Sequence, residues 1–277
     1  VRDGKSAYAV FEKGELKSYE EQPFTKGLHG TTISFKPDET IFKEGIRLEY
    51  APLKKQIQEL AYLSPGMVFS FKYENKPEEE ITSKNGIKDY INDLNQNKNC
   101  LTSVFYTETL EDRVGVKIAM QYNDSYNEVI LSFANNIHTV DGGSHETGFK
   151  NSLTKVINEY GKKFGLLKDG EKLTGDDVRE GLTAIISVKL TECEFEGQTK
   201  GRLGNPEVKP FIEKLVSEKL MNYLDENPDV AKLIFEKSMA ALRAREAAKR
   251  ARENERNKAV FGKSPLPEKL ADCAERD

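Results

Sequence analysis

The segment Glu196-Gly197-Gln198-Thr199-Lys200-Gly201-Arg202-Leu203-Gly204 sets an amide, a hydroxyl and an ammonium among three glycines that free the backbone. Such a loop can reach outward and offer donors to an anion, with lysine acting as a point charge on a phosphate. The same residue types also suit a solvated surface turn, which is the plainer reading on residue types alone. A second cationic feature lies near the C-terminus. Arg245, Lys249, Arg252 and Arg256 fall at i, i+4, i+7 and i+11, so one face of a helix carries all of them. That face is either a solvated surface laced with pairs such as Glu246 and Arg250, or a stripe turned toward a polyanion. From Arg243 to Lys263 there are eight basic and three acidic residues, while the whole chain has a net charge of −4.

Other chemistries find little support. His138 and His145 flank Asp141-Gly142-Gly143, but without metal-ligand spacing, so turn-forming glycines are the better reading and no metal site is expected. Neither a Gly-x-Ser-x-Gly nor a His-Glu-x-x-His pattern is present. Gly165 and Gly170 have the gap of a Walker A loop, but Glu171 stands where a lysine is needed and repels phosphate. Cys100, Cys193 and Cys273 are odd in number and far apart, which argues for reduced thiols in a cytoplasmic setting. No apolar run approaches the ~20 residues of a membrane-spanning helix. The chain opens at Val1 without a charged-then-apolar leader and reads as a piece of a longer polypeptide.

A coarse pass along the chain predicts the elements that position these features. Tyr8, Val10 and Phe11 before Gly14, with Leu16 after it, predict a hairpin. Gly30-Thr31-Thr32-Ile33-Ser34-Phe35 predicts a further strand, ended by Pro37. Pro52 opens a helix in which Leu53, Ile57, Leu60 and Ala61 recur, and Pro65-Gly66 stops it. Met67, Phe69, Phe71 and Tyr73 alternate as a strand, and Pro77-Glu78-Glu79-Glu80 reads as a loop. Ile87, Tyr90, Ile91 and Leu94 mark a short helix. Three asparagines between Asn95 and Asn99 place a domain boundary near residue 97.

Beyond that boundary, Val114 to Tyr122 and Val129 to Phe133 alternate on either side of Asn123-Asp124 and predict an antiparallel pair. Phe149, Leu153, Val156, Ile157, Tyr160 and Phe164 share a helical face. Leu182 to Leu190 is nearly continuous in apolar residues, as in a strand covered on both faces. Strand, helix and strand make a βαβ unit. Asn205-Pro206 and Asn227-Pro228 each start a helix. The second helix runs to about Lys258, roughly 45 Å at 1.5 Å per residue, and its polar second half projects outward. A chain of 277 residues with 32% charged and 37% hydrophobic residues suits about two soluble globular domains. The fold class is α+β.

Four ordered motifs then carry a family resemblance. They are Asn135-Asn136-Ile137-His138-Thr139-Val140-Asp141-Gly142-Gly143-Ser144-His145-Glu146-Thr147-Gly148-Phe149-Lys150, the segment Gly175-Asp176-Asp177-Val178-Arg179-Glu180-Gly181-Leu182, the Gln198-Thr199-Lys200 loop, and Ala244 to Arg252 followed by Leu266-Pro267-Glu268-Lys269-Leu270-Ala271-Asp272-Cys273. Together they resemble DNA gyrase B and its topoisomerase IV counterpart, which carry the ATPase of the bacterial type II DNA topoisomerases. The resemblance implies the C-terminal part of a GHKL ATPase domain over residues 1–97, a transducer domain over 98–240, and a basic connector helix over 241–277 leading to a TOPRIM domain. It also implies a left-handed βαβ crossover, against the usual hand.

The resemblance implies residue roles as well. Lys200 matches the lysine that reaches the ATP γ-phosphate, and Gln198 its amide partner. Thr31 matches a threonine at the nucleotide site, although His29 replaces the usual threonine before the Gly-Thr pair. The family's general base, magnesium ligand, adenine-binding aspartate and Gly-rich lid fall before Val1, so ATP with Mg2+ belongs to the intact protein and no catalytic residue is expected here. The implied partners are double-stranded DNA, gyrase A in an A2B2 heterotetramer, and a second copy of gyrase B that dimerises with the first on ATP binding. A stripe formed by Arg245, Lys249, Arg252 and Arg256 then has DNA to face. The reading from another class is a non-catalytic binding or dimerisation module of another GHKL protein. The Ala-Arg-rich helix leading to Leu266–Cys273 argues against it.

Overall fold

A computed structural model describes residues 1–25, 27, 29–43, 47–111, 113–168 and 170–261, with 257–261 as backbone only. Lys263, Cys273, the Leu266–Cys273 motif and the end of the connector segment lie outside the described residues. The chain divides into two compact units, Val1–Lys54 and Lys55–Asp277, each of which is a body to itself.

The first unit holds the expected hairpin, β1 (Lys5–Glu12) and β2 (Glu15–Pro23), paired antiparallel. Lys13 and Gly14 both have positive φ, 53° and 84°, as a tight two-residue hairpin turn requires. The strand expected at Gly30–Phe35 does not form. Gly30 exchanges backbone hydrogen bonds with Val1, but the residues after it run as irregular chain. Ile33 and Phe35 are 81% and 78% exposed. An alternating pattern becomes a strand only when its backbone groups find a ladder, and among the described residues none lies beside it.

Helix α1 (Tyr50–Leu63) carries Pro52 in its first turn, where a missing N–H leaves no bond unmade. It ends before Pro65-Gly66. Strand β3 (Val68–Phe71) pairs antiparallel with β4 (Glu79–Thr82). The expected loop at Pro77–Glu80 is therefore half strand. The two-stranded ribbon has a solvated side that accepts Glu80, and charge alone did not exclude pairing. Helix α2 (Ile87–Leu94) follows as expected.

The centre of the second unit is a five-stranded sheet in the order β5 (Phe105–Glu111), β6 (Val114–Tyr122), β9 (Leu182–Lys189), β7 (Val129–Ala134) and β8 (Ile137–His138). The expected β6–β7 antiparallel pair is corrected by this order. Strand β9 sits between them, antiparallel to β6 and parallel to β7. Seven of its eight residues are buried, so it is most stable with a neighbour on each edge and layers on both faces. The βαβ unit runs from β7 through α3 (Ser144–Lys163) to β9.

The two faces of the sheet explain the continuous apolar run in β9. On one side Ala184, Ile186 and Val188 join Phe149, Leu153 and Val156 of α3 and Ile212, Val216 and Leu220 of α5 (Val208–Glu226). On the other, Ile185 joins Ala119, Phe133, and Tyr62, Ile87, Tyr90 and Ile91 of α1 and α2. Residues on both sides of position 97 thus share one cluster. Buried polar groups reinforce it: Asn95 donates to Gln121 at 2.8 Å and accepts from Thr183 at 2.7 Å and Asn123 at 3.2 Å. Buried amides with partners throughout specify one arrangement.

Helix α5 starts at Val208, two residues after the expected Pro206. Asn205 is not its cap. Its Oδ1 accepts from the Glu194 N–H at 2.8 Å, which ties the preceding loop instead. Helix α6 (Pro228–Phe261) begins at the second Asn-Pro pair as expected. Ala231, Ile234, Phe235, Ala241 and Leu242 are buried. From Arg243 to Arg256 every residue is exposed.

Candidate functional site

The Gly-rich loop is a short hairpin whose base is locked to a helix. Gly204 N–H donates to Glu194 O at 2.7 Å and Glu196 N–H to Arg202 O at 2.9 Å, closing the loop on itself. A second strand of contacts comes from the turn before α3. Leu203 N–H donates to Gly142 O at 3.1 Å, Ser144 N–H to Leu203 O at 3.0 Å, and Asp141 N–H to Gly201 O at 2.9 Å. Arg202 Nη1 adds a bond to Asp141 O at 3.1 Å. Gly143 makes this approach possible. It has φ 143°, and a Cβ there meets the Leu203 carbonyl oxygen at 2.4 Å. The glycines read from the sequence as turn formers therefore also serve as a landing place for the loop.

The tip carries the chemistry. Gly197 and Lys200 have φ of 85° and 55°. Gln198 and Lys200 are exposed. The Lys200 ammonium lies 5.9 Å from the centre of the Phe195 ring and has no carboxylate partner among the described residues. An exposed ammonium on a loop with a fixed base is poised for an incoming anion. Thr31 belongs to the first unit, where it lines an open cavity of about 650 Å3 with Val1, Arg2, Phe24, His29 and Gly30. The loop brings Gln198 and Lys200 together; Thr31 belongs to the other unit.

Of the two central histidines, His145 is a core residue and His138 is half-buried. His138 stacks on Phe133 with ring centres 5.0 Å apart. His145 is fully buried, with Nε2 3.0 Å from Thr139 Oγ1. Among the described residues no three potential ligands gather. Burial pushes the His145 pKa down to about 4, against a weaker pull upward from Glu146. The unfolded chain takes up this proton below about 6.5 and the folded chain refuses it until about 4. The His145 contribution to stability is therefore whole above pH 6.5 and is lost as the pH falls toward 4. Each unit in that window weakens the fold by up to about 1.4 kcal/mol. Titration of the His145 ring by NMR checks this; a midpoint near the ordinary histidine value contradicts it.

The basic stripe is present on α6, but its members differ. Lys249 pairs with Glu253 and Arg250 with Glu246, each at 3.9 Å within the helix and in solvent. Exposed pairs of this kind contribute little. Arg252 and Arg256 are exposed. Arg245 instead reaches back to Asp177, with Nε 2.9 Å from Oδ1 and Nη2 2.9 Å from Oδ2. Burial alone raises the Asp177 pKa, but Arg245 and the Thr174 hydrogen bonds hold it below the usual aspartate value. Arg245 thus departs from both readings of the stripe, because its guanidinium is held by a buried carboxylate. Asp177 stood in view within Gly175–Leu182, but nothing in sequence spacing joins it to a residue 68 positions away. Among the described residues no helix is long and apolar enough to cross a membrane.

The model of the family described as DNA gyrase B matches residues 86–254. The chain is 46% identical over 272 residues to the DNA gyrase B of Clostridium acetobutylicum, covering 97% of this chain and 42% of that protein. It therefore spans less than half the length of that relative. Its fold is similar to the ATPase domain of Thermus thermophilus gyrase B, with TM-score 0.70, 36% identity, and 91% and 69% of the two chains covered. It is also similar to the topoisomerase IV ATP-binding domain of Francisella tularensis, with TM-score 0.71, 25% identity, and 88% and 68% covered.

Proposed function

Because the chain belongs to the DNA gyrase B family, we propose that it is the part of an ATP-dependent type II DNA topoisomerase that senses the nucleotide and passes its state to DNA. In this reading residues 1–97 complete a GHKL ATPase domain, 98–240 form the transducer and 241–277 the connector to TOPRIM. One observation carries the reading. Lys200 is an exposed cation without a carboxylate partner among the described residues, at the tip of a loop whose base is hydrogen-bonded to the start of α3.

Lys200 and Gln198 donate to the γ-phosphate of ATP when the ATPase and transducer domains are rotated together. They lose that partner when phosphate leaves, and the domains relax. A ligand shifts such an equilibrium only by contacts made in one state and not the other. The hydrogen bonds that join Leu203 and Gly201 with the Asp141–Ser144 turn carry the displacement into α3, and α5 and α6 extend it. Thr31 is proposed on the nucleotide side. Magnesium is assigned to no residue of this chain. Gyrase A, in an A2B2 complex whose two copies of gyrase B dimerise on binding ATP, completes the machine.

The full-length protein, assembled with gyrase A, is expected to introduce negative supercoils into relaxed plasmid only when ATP is hydrolysed. Decatenation without supercoiling assigns it to topoisomerase IV; neither activity overturns the reading.

Lys249, Arg252 and Arg256 form the proposed DNA-facing stripe. Their contacts are sequence-blind, and each adds about 0.9 to the log-log dependence of duplex affinity on salt. Changing all three to Gln keeps the helix, since Gln is also a good helix former. The slope is expected to fall by up to about 3. Titrating duplex DNA at several salt concentrations checks it, and an unchanged slope returns the stripe to the status of solvated surface.

A further inference from the structure

We propose that Asp177 and Arg245 are positioning residues that set the direction in which α6 leaves its domain, so that domain rotation arrives at the DNA as a defined movement. The inference rests on the function proposed above, and it gives Arg245 a role different from that of the other three cations on its face.

Three observations carry it. The first is the geometry of the pair. Asp177 belongs to α4 (Gly175–Arg179), a helix of five residues whose own start is fixed by a reciprocal cap. Asp177 Oδ2 accepts from Thr174 N–H at 2.8 Å and Thr174 Oγ1 at 2.7 Å, while both carboxylate oxygens accept from Arg245 at 2.9 Å. A planar fork on a carboxylate held from behind fixes orientation as well as distance. A lysine, with one rotating ammonium, cannot reproduce both bonds. The Asp177 side chain is only 2% exposed while that of Arg245 is 43% exposed, so the carboxylate is fixed inside the fold and the guanidinium reaches it from the solvent side.

The second is a neighbouring contact. Lys237 of α6 reaches Glu180, just past the end of α4, at 3.9 Å, with the two side chains 12% and 24% exposed. Lys237 and Arg245 are separated by about 12 Å of helix axis. A rod held at two points has its direction set, whereas a rod held at one can swing.

The third is where the pair sits. Up to Leu242 the helix is held by buried apolar side chains. Beyond Arg245 the ion pairs Lys249–Glu253 and Arg250–Glu246 lie within α6 and in solvent. Arg245 therefore marks the point where the supported helix becomes a free lever. An ion pair with one partner partly in solvent adds little net stability. What this one supplies is a single geometry.

The test uses the full-length protein assembled with gyrase A. Arg245→Gln leaves the Thr174 cap in place. It is expected to keep ATP turnover within about twofold while supercoils introduced per ATP fall about tenfold, in the usual range of a coupling between sites. Arg245→Lys retains the charge but not the fork and is expected to recover only part of the loss. The salt slope of DNA affinity stays at the wild-type value in both. A slope lowered by about 0.9 makes Arg245 one more phosphate contact and overturns the inference. So does an unchanged ratio of supercoils to ATP. Spin labels at Lys155 and Glu253, with the native cysteines replaced by serine, read the helix direction without reference to activity. The distance distribution is expected to broaden in Arg245→Gln and to narrow again in Arg245→Lys. If the wild type shows no ATP-driven supercoiling, the functional reading fails. The labels still decide the inference, because equal distributions in wild type and Arg245→Gln end it.

Discussion

Lys200→Ala in the full-length protein is expected to lower ATP turnover by about 100-fold while leaving affinity for duplex DNA within a few-fold. A preorganised donor aimed at developing charge is typically worth roughly 3 kcal/mol. The loop meets that requirement because its base is held by backbone bonds at Gly142, Ser144 and Asp141, none of which involves the Lys200 side chain. The variant should therefore fold as the wild type does. Its new side chain also occupies the same left-handed backbone, φ 55°, that Lys200 already adopts, so the substitution introduces no new strain. Gln198→Ala should lower turnover less, since a neutral donor makes the weaker bond to an anion. Steady-state ATPase rates and DNA titrations check both. Rates within a few-fold of wild type for the two variants remove the loop from the nucleotide site.

Gly143→Ala should be nearly as damaging without touching the tip of the loop. The added Cβ falls 2.4 Å from Leu203 O and 2.6 Å from Leu203 N, and both atoms are backbone. No side chain can swing aside to relieve that contact. Leu203 is 1% exposed and packed in the main core, so it cannot retreat inward. The positive φ of Gly143 adds strain of order 1–3 kcal/mol for any L side chain. The expected result is a stability loss of about 2–3 kcal/mol together with a fall in ATP turnover, because Gln198 and Lys200 are carried away from their fixed base. Denaturant unfolding and ATPase assays on the same preparation measure both effects. Wild-type turnover in a folded Gly143→Ala protein means the docking of Leu203 on the α3 turn does not position the loop.

Patterns with short range were legible in the residues. The hairpin at Gly14, the helix stopped at Pro65-Gly66, α2, the apolar face of α3 and the buried strand Leu182–Lys189 each rest on neighbours two to four positions apart. So does the stripe on α6, because a helix repeats within one turn. The resemblance motifs added the family and the proposed role of Lys200, where residue types alone favoured a solvated turn.

Other features depended on partners that are distant in the chain. Nothing in the alternation of Val114–Tyr122 and Val129–Phe133 shows that β9, some fifty residues later, enters between them. A strand's pattern reports its faces and is silent about its edges. Gly30–Phe35 shows the converse, a strand-like pattern without a ladder to join. The glycines before α3 were visible as turn formers, but their closeness to Leu203 exists only once two loops sixty residues apart are folded together. Arg245 is the sharpest instance. By itself the sequence determined that Arg245 shares a face with Lys249, Arg252 and Arg256. Only the tertiary structure decided that its guanidinium turns back to a buried aspartate, because a charge pair is made by distance in space, and helical periodicity reaches no farther than its own helix.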